Sequence, residues 1–521
     1  MIETGTQRVP LSAAEGPPLI AGPALTVATA DMLSDIAQCE ELFHTASGTA
    51  FADINIAGHR QTWPIRSKRF RAFLRRGYYQ ATGEAASAAE IRSALDLLEA
   101  RAQFDGPERC IHVRTAEEAG HIYVDLADED WRAVDIGPDG WRVIGSPPVR
   151  FRRAAGMLPL PVPERGGSIE ILQPFLNLAS RDDFVLIVAW LLAALRSGGP
   201  YPLLAISGEQ GSAKTVLSKL LKALIDPNAA PVRALSREER ELMIAANNGH
   251  LLAFDNLSGL PHWLSDALCR LATGGSFAVR QLYTDDEEIL FEASRPILLN
   301  GIEDVISRAD LGDRAIVLTL APIADANRRL EADLWRQFEI ARPCILGALL
   351  DGMVHGLRAN NKVDLAHLPR MADFALWAAA CEAAFWPGGT FARAYAANRR
   401  AAIENIIEAD PVATCVRAIM GERSSWSGSA SDLLRLCAER AHEDASMRPP
   451  LVRNPRGLAG RLRRAQTFLR MLDIEVTFGR EGRSGERVIR MNALGNNQSA
   501  DLGTNGNNGY DIVSTVSIDA A

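Results

Sequence analysis

A chain of 521 residues is too long for one ordinary domain, and its 47% hydrophobic and 23% charged residues are those of a globular protein. The formal charge of −8 excludes a uniformly basic nucleic-acid binder, so any such surface has to be local. Cysteines at 39, 110, 269, 344, 381, 415 and 437 never form a C-x-x-C pair, which argues against a zinc ribbon or disulfide framework and for reduced thiols in a cytoplasmic setting. No N-terminal stretch reads as a signal peptide. The longest apolar run, 184–195, is shorter than the ~20 residues that span a bilayer.

Residues 1–35, rich in Pro, Gly, Ala and Thr, read as a flexible N-terminus. Short helices and strands mix over 36–157, an α+β domain. There Ser87 and Glu90 stand at capping-box spacing before a helix to Ala102, and His121–Asp125 and Trp141–Ile144 alternate like strands. Arg66–Arg76 reads as an amphipathic helix with Phe70, Phe73 and Leu74 inward and a solvated basic face. The acids of this domain, such as Asp53, Asp125, Asp128 and Asp130, lack motif spacing, so it is assigned no chemistry. Pro-rich 158–167 reads as a linker. Over 168–325 apolar strands alternate with helices, which predicts a parallel α/β sheet. Ser180 and Asp183 cap a buried core helix at 184–195. Residues 326–420 are helical and Ala-rich, 421–492 read as helices followed by a strand pair, and 493–521 as a disordered tail.

Within the third segment, Gly208-Glu209-Gln210-Gly211-Ser212-Ala213-Lys214-Thr215 lies between an apolar strand and a helix, the arrangement of a phosphate-binding P-loop. Backbone N–H groups and the helix N-terminus would cradle a triphosphate, Lys214 would reach its β/γ-phosphates, and Thr215 would ligate Mg²⁺. Ala213 replaces the second glycine of the motif, and its β-carbon is expected to require φ < 0. Downstream, His250–Asp255 is a strand that ends in an acid suited to Mg²⁺, and Pro296–Asn300 ends in an amide suited to the attacking water or the γ-phosphate. Arg308 and Arg314 precede a further strand. Either could pair with Asp310 or Asp313, and Arg314 could act as a finger from a neighbouring subunit.

These four ordered features resemble AAA+ ATPases, and most closely the superfamily 3 helicases of phages, viruses and plasmids, over roughly 200–320. The resemblance implies a central P-loop sheet, ATP and Mg²⁺ as cofactors, a ring, expected to be hexameric, and a primase as neighbour. Thr273–Thr284 resembles the family's hairpin motif, which makes Arg280 the match for its basic contact to single-stranded DNA. Asn256 departs from the pattern, because most such enzymes have a carboxylate there to activate water. An amide can position water but cannot act as a base. Glu209, or an acid of 285–288, is the alternative source of negative charge.

Between 448 and 490 stand eleven Arg, no Lys and four acids. A helix from Leu458 to Leu472 carries Arg461, Arg463 and Arg464, and Arg483 lies in the turn joining the two strands that follow. Together they resemble a winged helix, with DNA contact from both helix and wing. The expectation is a multidomain α/β protein that works as an ATP-hydrolysing motor on single-stranded DNA. The alternatives are an ATP-dependent DNA-binding switch with little turnover and, with no acceptor pocket to support it, a small-molecule kinase.

Overall fold

The computed structural model describes residues 39–481 and 486–493, apart from 237, 281–287, 302–305, 307–308, 360–362, 366 and 444–453, together with 32, 33 and 35. Two compact units divide the chain, Met1–Arg399 and Arg400–Ala521.

In the first unit, β1 (Cys39–His44), β2 (Ala50–Ile56) and β3 (His59–Pro64) form an antiparallel meander. Helix α1 (Lys68–Thr82) starts where the Ser67 hydroxyl accepts the Phe70 N–H and stops at left-handed Gly83. Helix α2 (Ala88–Phe104) starts on the Ser87/Glu90 capping box read from the sequence. Both helices bury their apolar side, including Phe70, Leu74, Ile91 and Leu95, on the meander. Strands β4 (Ile111–His112) and β9 (Arg150–Phe151) then flank a second meander of β5 (Thr115–Glu118), β6 (His121–Asp125), β7 (Ala133–Gly137) and β8 (Gly140–Ile144).

The remainder of the unit alternates helix and strand. Its elements are α3 (Arg181–Ala194), β10 (Leu203–Gly208), α4 (Lys214–Ile225), α5 (Glu239–Asn248), β11 (Leu252–Leu257) and α6 (His262–Thr273). A hairpin of β12 (Gly275–Arg280) and β13 (Glu288–Ala293) follows, then β14 (Ile297–Gly301), α7 (Ala309–Gly312), β15 (Ala315–Leu320), α8 (Glu331–Ala359), α9 (Ala372–Glu382) and α10 (Thr390–Ala409), whose residues from Arg400 onward belong to the second unit. Strands β11, β14, β10 and β15 lie side by side in that order, all parallel. Helix α3 is apolar all round and buried, as its sequence requires. Helix α8 is long and apolar enough to cross a bilayer, but its most apolar window is 61% buried within the protein.

The second meander shares one core with the parallel sheet: Val124, Ile136 and Trp141 pack with residues of α3, α4 and α8, and Trp141 Nε1 donates to Asp351 at 2.8 Å. Residues 158–167, which composition makes a linker, are pinned. Leu160 is buried, its N–H donates to Leu126 O at 2.8 Å, and the Glu164 N–H donates at 3.0 Å to the carbonyl of Pro343 inside α8. A Cβ on Gly347 would lie 1.7 Å from Glu164 O, so glycine permits this approach.

The junction is ionic as well as apolar. Asp226, which ends α4, accepts from Arg114 Nε at 3.1 Å, from Lys222 Nζ at 2.8 Å, and from the His250 and Leu251 N–H groups at 3.0 and 3.1 Å. Arg114 is 0% exposed and also donates to Asp125 O and Leu158 O, both at 2.9 Å. Burial alone would raise the Asp226 carboxyl, but Lys222 and Arg114 hold it well below the usual carboxylate range.

In the second unit stand α11 (Pro411–Gly421), β16 (Ser425–Gly428), α12 (Ala430–Glu443), α13 (Pro455–Met471), β17 (Ile474–Glu481) and β18 (Glu486–Ala493), with sheet order β16-β18-β17. Among the described residues this unit holds three helices and a three-stranded sheet that ends in a hairpin, and because α11 packs on α13 the set begins at Pro411 rather than at 421.

Removing one partner of the buried junction leaves charges stranded. Asp226→Ala is expected to destabilise the first unit by about 3–5 kcal/mol in urea unfolding. Burial also pushes the His250 imidazole down from 6.5 to about 4, so the folded state holds it neutral. That contribution is complete above pH 6.5 and is lost as pH falls towards 4, roughly 3 kcal/mol in all. Urea midpoints measured from pH 7 to 4 should therefore decline, and His250→Gln should flatten the decline.

Candidate functional site

Strand β10 is central in the parallel sheet, and the loop 208–213 leaves its carboxyl end, the edge where open α/β sheets bind ligands. Gly208 has φ 148, and a Cβ there would come 2.5 Å from Leu320 O of β15, so only glycine fits. Glu209, Gln210 and Gly211 are exposed, whereas Ser212 is buried and its hydroxyl donates to Glu209 O at 2.8 Å. Asn177 fixes the loop from outside, its Nδ2 donating to Ser212 O at 3.1 Å and to Ala321 O at 2.7 Å. Arg328 lies over it, with Nη2 3.8 Å from where a Gly211 Cβ would stand.

Ala213 departs from expectation. It has φ 63 and ψ 27, the left-handed conformation, where φ < 0 was anticipated. The turn from loop into α4 demands that conformation, and alanine adopts it at a cost of roughly 1–2 kcal/mol. Lys214 curls back into the loop, Nζ donating to Gly208 O and Glu209 O at 2.8 Å each and to Ser212 Oγ at 3.3 Å. Any phosphate held there must draw the ammonium away from these carbonyls.

The order of strands decides what else converges. Because β14 lies between β10 and β11, Asn300 falls between Lys214 and Asp255. The Thr215 hydroxyl donates to Asp255 Oδ1 at 3.2 Å. Pairing of β11 with β14 slips after Phe254, and Asn256 takes φ 59. Such an irregularity re-aims the chain. The Asn256 N–H thereby donates to Asp255 Oδ1 at 2.8 Å and to Asn300 Oδ1 at 3.2 Å. Asn300 is 1% exposed, and its Nδ2 donates to Ser218 Oγ at 2.9 Å, while Ser218 donates to Lys214 O at 2.9 Å. Both ends of the Asn300 amide thus engage protein, which makes it a positioning residue here rather than one open to a water or phosphate. Among the described residues, Asp255 is the single carboxylate in this network.

Arg314 is not brought to this site. Ala315 pairs with Leu203 and Leu320 with Gly208, so Arg314 lies at the amino end of β15, about 20 Å from its own loop. Asp313 pairs with Arg370 at 3.4 Å and Arg399 at 2.7 Å. Arg308 and the acids at 285–287 lie outside the described residues. Strands β12 and β13 pair in antiparallel register. Arg280 is the last residue of β12, opposite Glu288, but its side chain is outside what the structure describes.

Four exposed arginines mark α13: Arg456, Arg463 and Arg470 recur every seven residues along one stripe, with Arg464 beside them. The helix contains no acid. The Arg463 guanidinium stacks on Phe478 of β17 at 4.5 Å. Arg461 is different: it pairs at 3.3 Å with Asp410, the N-cap of α11, and so ties two helices together. Arg480 and Arg487 are exposed and opposite each other on the hairpin, and Arg483 lies outside the described residues.

Sequence reasoning missed Asn177, Ser218 and Arg328. Only Ser218 had a signal, one helical turn after Lys214. The Ala213 geometry is testable: Ala213→Val, β-branched in a left-handed position, should lose about 1 kcal/mol or more of stability in thermal unfolding. Ala213→Gly should match or exceed the parent.

Residues 169–406 match the family described as the actinomycete integrative conjugative element replication protein, and residues 412–503 match the C-terminal domain of that replication protein. No curated relative matches the chain. Two solved structures of the apo NrS-1 C-terminal region, one of them an A form, each align with TM-score 0.40 and 12% identity. The A form covers 87% of this chain and 96% of its own, the other 91% and 100%. A likeness of that degree says nothing of function. The two family matches together take in most of the chain, which belongs to the replication proteins of actinomycete integrative conjugative elements.

Proposed function

We propose that this replication protein is an ATP-hydrolysing motor that moves on single-stranded DNA as a hexameric ring. The observation that carries the reading is the convergence of Lys214, Thr215, Asp255, Asn256 and Asn300 around one glycine loop at the carboxyl edge of a parallel sheet. Loop N–H groups and the amino end of α4 hold the triphosphate, and Lys214 exchanges its carbonyl partners for the β/γ-oxygens. Thr215 and Asp255 would hold Mg²⁺, since their oxygens already meet at 3.2 Å. When bound, the ion would supply positive charge beside the phosphoryl group. Arg314, remote from its own loop, serves the nucleotide of the next subunit. Arg280 and the α13 stripe contact DNA, with a primase as partner on the same template.

A second reading, an ATP-dependent DNA-binding switch with little turnover, draws on one observation: Asn256 stands where a water-activating carboxylate is needed, and its N–H is committed to Asp255 and Asn300.

ATP turnover, measured with and without single-stranded DNA, separates the two. The motor predicts stimulation by the strand, loss of at least ~10²-fold in Lys214→Ala, and a nucleotide-bound oligomer by mass measurement. Turnover indifferent to DNA and oligomer overturns the motor. Negligible turnover together with ATP-dependent DNA binding selects the switch.

A further inference from the structure

We infer that α1 of the N-terminal meander is a second nucleic-acid contact, which grips the backbone of a single strand and stacks one base on Tyr79. The sequence reads this helix as a solvated basic face, but its surroundings argue otherwise. Helix α1 carries five cations and no acid. Arg66, just before it, pairs with Asp96 and Glu99 on α2, and Arg69 lies on the Trp63 ring at 4.4 Å. Lys68, Arg71, Arg75 and Arg76 are exposed, and no ion pair engages them among the described residues.

That arrangement opposes the helix's own stability. Lys68, Arg69 and Arg71 stand in the first turn, at the positive end of the helix dipole. Arg71 and Arg75 are like charges one turn apart. Much of the surface arginine elsewhere in this acidic chain is paired, as in Arg181–Glu170, Arg270–Glu239 and Arg440–Glu422. A polyanion from outside removes both penalties at once.

The face has a direction and a flat ring. Lys68, Arg75 and Tyr79 fall on one stripe at spacings of seven and four, flanked by Arg71 and Arg76. The stripe runs about 16 Å, long enough to lie along more than one phosphate of a strand. Tyr79 is 61% exposed at its end. A tyrosine beside a cationic track stacks on an unpaired base, which a duplex does not offer. A membrane surface fits poorly, because the apolar side of the helix, Phe70 and Leu74, is already buried in the protein. Membership in a replication family supplies a partner of this chemistry.

The test uses the full chain and fluorescein-labelled DNA of mixed sequence, single-stranded or duplex, in anisotropy titrations between 50 and 200 mM salt. Arg71→Gln/Arg75→Gln/Arg76→Gln is expected to weaken single-strand binding at least ~10-fold and to reduce the log–log salt slope by about 2. Tyr79→Ala is expected to weaken single-strand binding about 5-fold or more, with the salt slope and duplex binding unchanged. A triple variant that keeps helical circular dichroism and the parental Kd and slope overturns the inference. Equal losses on single strand and duplex in Tyr79→Ala overturn its single-strand part. Arg456→Gln/Arg463→Gln/Arg470→Gln serves as the reference. Should only that variant lose affinity, α1 is no contact while the DNA reading of the C-terminal unit stands. A parent that binds neither DNA overturns both.

Discussion

One buried carboxylate holds the first unit in register. Asp226 closes α4, accepts two cations, and takes the backbone N–H groups of His250 and Leu251 just before β11. An isolated buried charge of either sign would be prohibitive, so neither Arg114 nor Lys222 is tolerable there without Asp226. The consequence is geometric. The helix that begins at the glycine loop, the strand that delivers Asp255, and the second meander, which Arg114 leads into, are fixed to one point at the end of the sheet remote from the loop. Displacing the meander would take Arg114 from Asp226, on the same helix that carries Lys214 and Thr215.

At the opposite end of the sheet the same elements meet through neutral hydrogen bonds. Ser218, Asn300 and Asn256 form a chain of donors and acceptors from the back of the glycine loop to the turn after Asp255. An amide suits this position because it donates and accepts at once, which lets one buried residue satisfy partners on two elements. The left-handed turns at Ala213 and Asn256 place strain on both sides of that chain. A nucleotide that pulled Lys214 from the loop carbonyls would act on an already tense pair of turns.

Charge is divided by location rather than by amount. A chain of net −8 keeps the acid-free, arginine-rich helices α1 and α13 in separate units, while arginines such as Arg114, Arg150 and Arg461 are consumed by internal carboxylates. Counting arginines therefore overstates a binding surface. Arg461 shares a helix with Arg463 and Arg464, yet its partner is Asp410. The useful distinction is whether a nearby element supplies an acid, and sequence distance does not report that.

Much of this was legible from the residues alone, where the governing physics is local. The capping box at Ser87, the N-cap at Ser180, the wholly apolar helix after Asp183, the strand–loop–helix around Lys214 and the C-terminal helix and strand pair follow from periodicity, caps and turns. So does the succession of Lys214, Thr215, Asp255 and Asn300, since each sits at a strand end or helix start. What folding added is long-range. The sequence could not tell that β14 enters between β10 and β11, that Asn300 is therefore enclosed, or that Arg314 lies at the wrong end of the sheet to meet its own loop. Nor could it show that residues 158–167 are pinned by α8, because close approach at Gly347 depends on two segments far apart in the chain. The conformation of Ala213 was misjudged for the same reason. Intrinsic preference disfavours a left-handed alanine, and the surrounding loop, anchored by Asn177 and β15, overrides a preference of only about 1–2 kcal/mol. Local chemistry was written along the chain, whereas burial, ion pairing and the sharing of one site among distant strands were decided only when the strands packed.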